Sequence, residues 1–173
     1  MKSLSHRLTK TLLMALTLAL GASPAFAGDP TTTGDLATPA NRIVGTWRIS
    51  AQVDGANCRS GIPGPPLTVD TYLMFHAGGT VTELPRIPVS NIPAPRTFGI
   101  GTWYYDKAND AYYGTLRFDW YANGIRQGYN TVDREMRLEA GADSMSGSAV
   151  AVRFLENGTE VFSQCGPATG RRI

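Results

Sequence analysis

The chain lacks most of the residue types from which catalytic and metal sites are built. Of its 173 residues only two are cysteine and two are histidine. His76 is the one histidine beyond the N-terminal segment, and no Gly-x-Ser-x-Gly nucleophile motif accompanies it. Metal sites built on histidine are excluded by the same shortage. We therefore predict no catalytic residue and no metal site.

Amphipathic helices and long apolar runs are also missing after the N-terminal segment. Without a helix, no glycine loop can hold a phosphate at a helix N-terminus, so no cofactor is predicted. No later segment approaches the roughly 18–20 continuous apolar residues that a transmembrane helix needs. We expect no membrane span.

A strong charge of one sign is absent once the N-terminal segment is set aside. Residues 1–27 look like a secretory signal, with a short apolar run at 12–20 and a small-x-small cleavage pattern at 25–27. An N-terminal membrane anchor is the alternative. The basic residues of this N-terminal segment are Lys2, Arg7 and Lys10. Without them, 13 basic residues face 14 acidic ones, which argues against a nucleic-acid partner.

Cysteine is scarce but informative. In a periplasmic or secreted bacterial chain, Cys58 and Cys165 predict one disulfide. The alternative, a pair of thiolate ligands, lacks CxxC spacing and histidine partners. A bond that closes nearly the whole domain would stabilise it by roughly 4–5 kcal/mol in the chain-entropy description.

Alternation of apolar and polar residues at period two is what the chain does contain. It predicts eight strands. They cover residues 41–53, 67–76, 80–84, 98–105, 111–121, 125–138, 144–156 and 160–165. In the seventh, Val150, Val152 and Phe154 share one phase. Residues 28–41 show no periodicity and are predicted to be a mobile leader.

Eight consecutive antiparallel strands would leave two bare edges in an open sheet. Closing the sheet removes them and predicts an all-β fold, an eight-stranded antiparallel up-and-down barrel, over residues 42–173. Its interior would be packed or would hold one small ligand. A two-sheet sandwich is the alternative. The proline-rich loop between residues 85 and 96 is predicted to form a lid or rim on any site.

The turn at residues 122–124 decides which side chains share a face. A three-residue loop pairs Tyr121 with Ile125 and places the aromatic face of strand five beside Val132 and Met136. A two-residue loop would shift the register by one and place that face beside polar residues. The hydrophobic pattern favours the three-residue loop.

This register predicts a ligand site inside the barrel. Its candidate residues are Trp103, Phe118, Trp120, Arg126, Asn130, Arg134 and Met136. An inward guanidinium must be paired or solvated, and a water-filled cavity or an anionic ligand would satisfy it. The alternative is that Arg126 reaches out at the mouth and that Arg134 pairs with a buried tyrosine or carboxylate. Asp119, Asp133 and Glu135 are expected on the outer face.

The motif Gly45-Thr46-Trp47 opens the first strand. An exported eight-strand meander that begins in this way resembles the lipocalins and the wider calycin group. The resemblance implies that Trp47 packs at the closed base of the barrel, with Arg171 or Arg172 across its ring. The chain departs from typical lipocalins because it lacks their C-terminal helix and their second and third motifs. Barrels of the allene-oxide-cyclase and dirigent kinds share the outline, as do bacterial metalloprotease inhibitors.

Three functions are compatible with these observations. The first is binding of a small hydrophobic or amphipathic molecule in the barrel. The second is a protein-interaction role, such as protease inhibition through the leader. The third is a cyclase or isomerase reaction in the same cavity. Sequence alone favours them in that order.

Overall fold

A computed structural model describes residues 38–55, 58, 62–86 and 96–173. It contains a short 3-10 helix, Pro39–Asn41, and eight strands. The strands are β1 Gly45–Val53, β2 Leu67–His76, β3 Thr80–Pro85, β4 Gly99–Asp106, β5 Ala111–Ala122, β6 Ile125–Leu138, β7 Ser144–Leu155 and β8 Glu160–Arg172. Outside the described residues lie the predicted signal, most of the predicted leader and most of the predicted rim loop. The structure therefore does not test the interaction role predicted for the leader.

The eight strands form one closed antiparallel barrel. Each strand pairs with the next along the chain, and β1 pairs with β8, where Trp47 lies opposite Arg172. The predicted up-and-down barrel is therefore confirmed. No helix in the described part of the chain is long and apolar enough to cross a membrane.

The turn between β5 and β6 differs from the predicted one. Ala122 pairs with Ile125, so the loop has two residues rather than three. Asn123 and Gly124 have φ values of 51° and 76°, as a type I′ turn requires at both central positions. The predicted pairing of Tyr121 with Ile125 is wrong because Asn-Gly supplies this tighter turn.

A β-bulge next to the turn restores the predicted faces. Tyr121 pairs with Arg126 and Trp120 pairs with Gly128, which leaves Gln127 as the extra residue. An extra residue shifts the register by one. Beyond the bulge, the aromatic face of β5 lies beside the apolar residues of β6, as predicted.

The inner face of β7 is not the one that its apolar pattern indicates. The inward set contains Met145, Ala149 and Arg153, which lie opposite the inward residues of β6. Val150 is exposed on the outer wall, and Phe154 stacks on the outer ring of Tyr129. Val150, Val152 and Phe154 of β7 therefore cover the outside of the barrel.

Side-chain size divides the interior into two halves. The half that we call the base surrounds the start of β1 and the end of β8, and large residues fill it. Trp47, Leu73, Phe75, Trp103, Tyr112, Leu116 and Met136 are buried there. The half that we call the mouth surrounds the end of β1 and the start of β2, where the inward residues include Ala51, Ala149 and Ala151. Small side chains at the mouth leave space that the base lacks.

The base is closed where the end of β8 contacts the start of β1 and the residues before it. Of the two candidates Arg171 and Arg172, it is Arg172 that lies across the Trp47 ring, with its guanidinium carbon 4.3 Å from the ring centre. Its nitrogens donate to the carbonyl oxygens of Val44 (2.8 Å) and Arg42 (2.5 Å). Residues 38–41, assigned to the leader from sequence, pack here as well, because Tyr112 donates a hydrogen bond to the Pro39 carbonyl.

The sulfur atoms of Cys58 and Cys165 lie at disulfide-bonding distance, with their Cα atoms 5.4 Å apart. Asp54, at the end of β1, pairs with Cys165 through two backbone hydrogen bonds. The cross-link thus ties the segment after β1 to β8 at the mouth. A disulfide is consistent with an oxidising compartment.

Candidate functional site

The mouth half of the barrel contains a cavity of about 360 Å³. Strands β1, β2, β3, β5, β6, β7 and β8 all contribute to its wall. The apolar part includes Ala51, Val53, Leu67, Val69, Val132 and Ala151. The volume lies within the range of small-molecule sites, and a mostly apolar wall with a few polar groups is typical of them. The interior is therefore open at one half and packed at the other.

A buried cluster of three charges lies in this wall. Glu83 of β3 is 1 % exposed. Its Oε1 lies 3.3 Å from Nη2 of Arg134, and its Oε2 lies 3.4 Å from Nη1 of Arg96. Both distances exceed the roughly 2.7–2.9 Å of a tight ionic hydrogen bond. The Glu83 carboxylate therefore offsets part of the charge of two guanidinium groups but forms a short hydrogen bond with neither.

Arg134 is the least satisfied member of the cluster. Its side chain is 4 % exposed, and its Nε and Nη1 have no hydrogen-bond partner among the described residues. Burial lowers the pKa of Arg134 below its usual range, and the charge of Glu83 opposes that change. Arg96 is better covered, because its guanidinium carbon lies 4.2 Å from the centre of the Phe118 ring.

A third arginine, Arg153 of β7, completes the polar part of the wall. Its Nε donates to Oδ1 of Asn130 at 3.2 Å. Its guanidinium carbon lies 4.8 Å from the ring centres of both Trp120 and Phe162. Burial lowers the pKa of Arg153. Two aromatic faces and an amide oxygen replace part of the water that this cation loses.

Three of the seven residues predicted for the ligand site line the cavity. They are Phe118, Asn130 and Arg134. Trp103 and Met136 are buried in the packed base instead, where Trp103 contacts the Phe75 and Tyr112 rings. Trp120 is not part of the described cavity wall, but its ring contacts Arg153, which is.

Arg126 does not face the interior. Its guanidinium binds Asp119 at 3.0 Å and Glu156 at 2.7 Å, and its side chain is 34 % exposed. The prediction of an inward Arg126 is wrong because the bulge at Gln127 reverses the side of the wall on which earlier residues of β6 lie. The two carboxylates raise the pKa of Arg126, and Arg126 lowers that of Asp119.

Sequence reasoning missed Glu83, Arg96, Arg153, Phe162 and Gln164, which all line the cavity. Glu83 carried a signal, because it alternates in phase with the buried Val81 in a short strand. Arg153 carried one as well, because it shares a phase with Met145 and Ala149. Arg96 gave no signal: it follows the proline-rich segment, and only the tertiary structure places its Thr97 neighbour in a hydrogen bond to Asp119.

Outside the cavity, few groups suggest chemistry. His76 lies at the base end of β2, exposed, with Nε2 3.1 Å from the Thr82 hydroxyl. Within the described ranges, no group of three or more His, Cys, Asp and Glu residues could hold a metal ion.

Comparison with known proteins adds no family to this description. No known protein-family model matches the chain. No curated protein matches it either. The eight-stranded closed barrel is compatible with a calycin-like fold.

Proposed function

We propose that this protein is an exported, calycin-like barrel that binds a small amphipathic molecule in the cavity at its mouth. The observation that carries the proposal is the division of the interior. Bulky residues fill the base, whereas alanines and valines line a cavity of about 360 Å³ at the mouth. A barrel that served only as a scaffold would gain stability by filling that space, since unfilled apolar volume is destabilising.

The wall chemistry supports an amphipathic rather than a purely apolar ligand. Burial of several arginines and one glutamate costs free energy that an apolar wall would not incur. Polar groups that converge on an otherwise apolar cavity fix the orientation of a ligand. An apolar body would contact Val69 and Val132, while a polar end would lie near Asn130 and Arg134.

The test is a titration of the purified protein with single-chain amphiphiles, followed by tryptophan fluorescence and by calorimetry. The Trp120 ring contacts Arg153, which lines the cavity. Its fluorescence is therefore expected to report ligand binding. Ala151→Phe should fill the cavity and weaken binding at least about tenfold. The matched control is Ala108→Phe, which changes an exposed turn at the base and should leave binding unchanged. Absence of saturable binding to the unsubstituted protein would refute the proposal.

Catalysis in the same cavity is a second candidate, because the wall contains a carboxylate and an amide. Glu83 and Asn130 both line the space, and a cyclase or isomerase would need such groups. Both carboxylate oxygens of Glu83 already face a guanidinium group, so neither can contact a substrate without giving up part of that pairing. Catalysis would be supported if Arg134→Ala abolished conversion of a bound compound while the barrel stayed folded and still bound it.

A further inference from the structure

Arg134 presents buried hydrogen-bond donors that the described protein does not use. Its side chain is almost fully buried, and Nε and Nη1 are without partners. Only Nη2 is engaged, at 3.3 Å from Glu83. A buried guanidinium with open donors is costly. Arg134 lines the cavity, and the two nitrogens lie just beneath its wall, so an acceptor within the cavity can satisfy them after a small rotation of the guanidinium.

The balance of charge around the cavity points to the kind of acceptor. Arg96, Arg134 and Arg153 are cationic, and the carboxylates in the wall are Glu83 and Asp70. Asp70 belongs to the outward-facing set of β2, because its β1 partner Ser50 lies between the inward Ile49 and Ala51. Among the described residues inside the barrel, Glu83 is therefore the one carboxylate facing three guanidinium groups. The net charge of these inward side chains is therefore positive.

The other two arginines already have partners that take the place of water. Arg96 lies over the Phe118 ring and next to Glu83. Arg153 lies between two rings and binds Asn130. In the part of the chain described, Arg134 has no ring over it. The excess charge is thus least compensated at Arg134.

We infer that the ligand has an anionic end, of the carboxylate or sulfonate class, and that Arg134 binds it. This inference rests on the proposed function, because it assigns the charge of the ligand in the same cavity. An anion supplies the acceptors that Nε and Nη1 lack, and it balances the charge of the wall. The apolar tail then lies against the alanine and valine surface toward the mouth.

A series of probes with one chain length and different end groups tests the charge directly. Decanoate, decane-1-sulfonate, decan-1-ol and decylammonium are titrated at neutral pH, below the concentration at which they aggregate. Both anions should bind about tenfold or more tightly than the alcohol, since ionic hydrogen bonds to a buried guanidinium are strong. The cation should bind most weakly. This comparison requires no substitution, so a variant that fails to fold cannot obscure it.

Arg134→Met then tests the residue. It should lower the affinity for both anions to that for decanol, and change the decanol affinity by less than about twofold. The matched control is Arg137→Met on the same strand. Arg137 is also paired with a glutamate, Glu135 at 2.7 Å, but it lies exposed on the outer wall. The control should leave all affinities unchanged.

The outcomes separate this inference from the proposal beneath it. If the anions, alcohol and cation bind equally, the cavity binds amphiphiles and the anionic end is refuted. If decylammonium binds most tightly, Glu83 is the recognising group and the inference is again refuted. If Arg134→Met retains the anion preference, Arg134 is not the binding residue. If no probe binds at all, the proposed function fails as well.

Discussion

The contact between Arg172 and Trp47 at the base yields a stability prediction that is independent of any ligand. Arg172→Ala removes the cation over the Trp47 ring, at 4.3 Å, the hydrogen bonds to the Val44 and Arg42 carbonyls, and a longer one, of 3.2 Å, to the Ala142 carbonyl. The side chain is 28 % exposed, so water can replace part of each interaction. We assign about 1 kcal/mol to each of the two shorter hydrogen bonds, about 1 kcal/mol to the cation–π contact, and nothing further to the longer bond to Ala142.

Arg172→Ala should therefore lower the free energy of unfolding by about 3 kcal/mol. Urea unfolding followed by tryptophan fluorescence measures this value, and for a slope near 2 kcal/mol/M the midpoint should fall by about 1.5 M. Arg172→Lys should lose about half as much, because lysine keeps the charge but cannot donate in two directions from a rigid plane.

Arg171→Ala is the matched control. Arg171 is the neighbouring residue in β8 and is exposed, so its truncation should change the free energy of unfolding by no more than about 0.5 kcal/mol. Equal effects at positions 171 and 172 would show that the end of β8 does not hold the base closed. The assignment of Arg172 to the closing contact would then be incorrect.

Two further predictions concern the cross-link and a buried phenol. Replacing Cys58 and Cys165 by serine should lower the free energy of unfolding by about 4–5 kcal/mol, because the bond closes a loop of 107 residues; an unchanged urea midpoint would contradict this. Burial raises the pKa of Tyr112 to about 12, against about 10 when unfolded. The folded state favours the neutral phenol, so its contribution is intact below pH 10 and is lost as the pH rises toward 12. Stability measured relative to Tyr112→Phe should fall over that range, and a constant difference would refute the assignment.

The strand pattern and the closure of the barrel could be predicted because they depend on local alternation. Residues such as Trp47, Ile49 and Ala51 alternate with polar residues over the whole of β1, and antiparallel neighbours need only short turns. Closure follows from the cost of bare sheet edges. The expected outer position of Asp119 also followed from its phase, and the structure places it in an ion pair with Arg126.

The site was only partly predictable, because a single extra residue in a strand changes the side of the barrel wall to which the neighbouring side chains point. The Gln127 bulge moved Arg126 outside while leaving Asn130 and Arg134 inside. In β7, valines on the outer wall concealed an inner face made of Met145, two alanines and Arg153. The bulge has no signal in β6 taken alone, and the phase that Arg153 shares with Met145 and Ala149 is weaker than that of the valines, so both features are decided by the register with a neighbouring strand.

The sequence by itself determined the eight strands, the single pair of cysteines and the alternation that makes a barrel, because these follow from the order of residues along the chain. Only the tertiary structure decided where the interior is filled and where it is open. It brought Glu83, Arg96 and Arg134 together from three separate segments. The physical reason is that a cavity depends on the summed volume of side chains that meet from distant strands, and no local pattern encodes that sum.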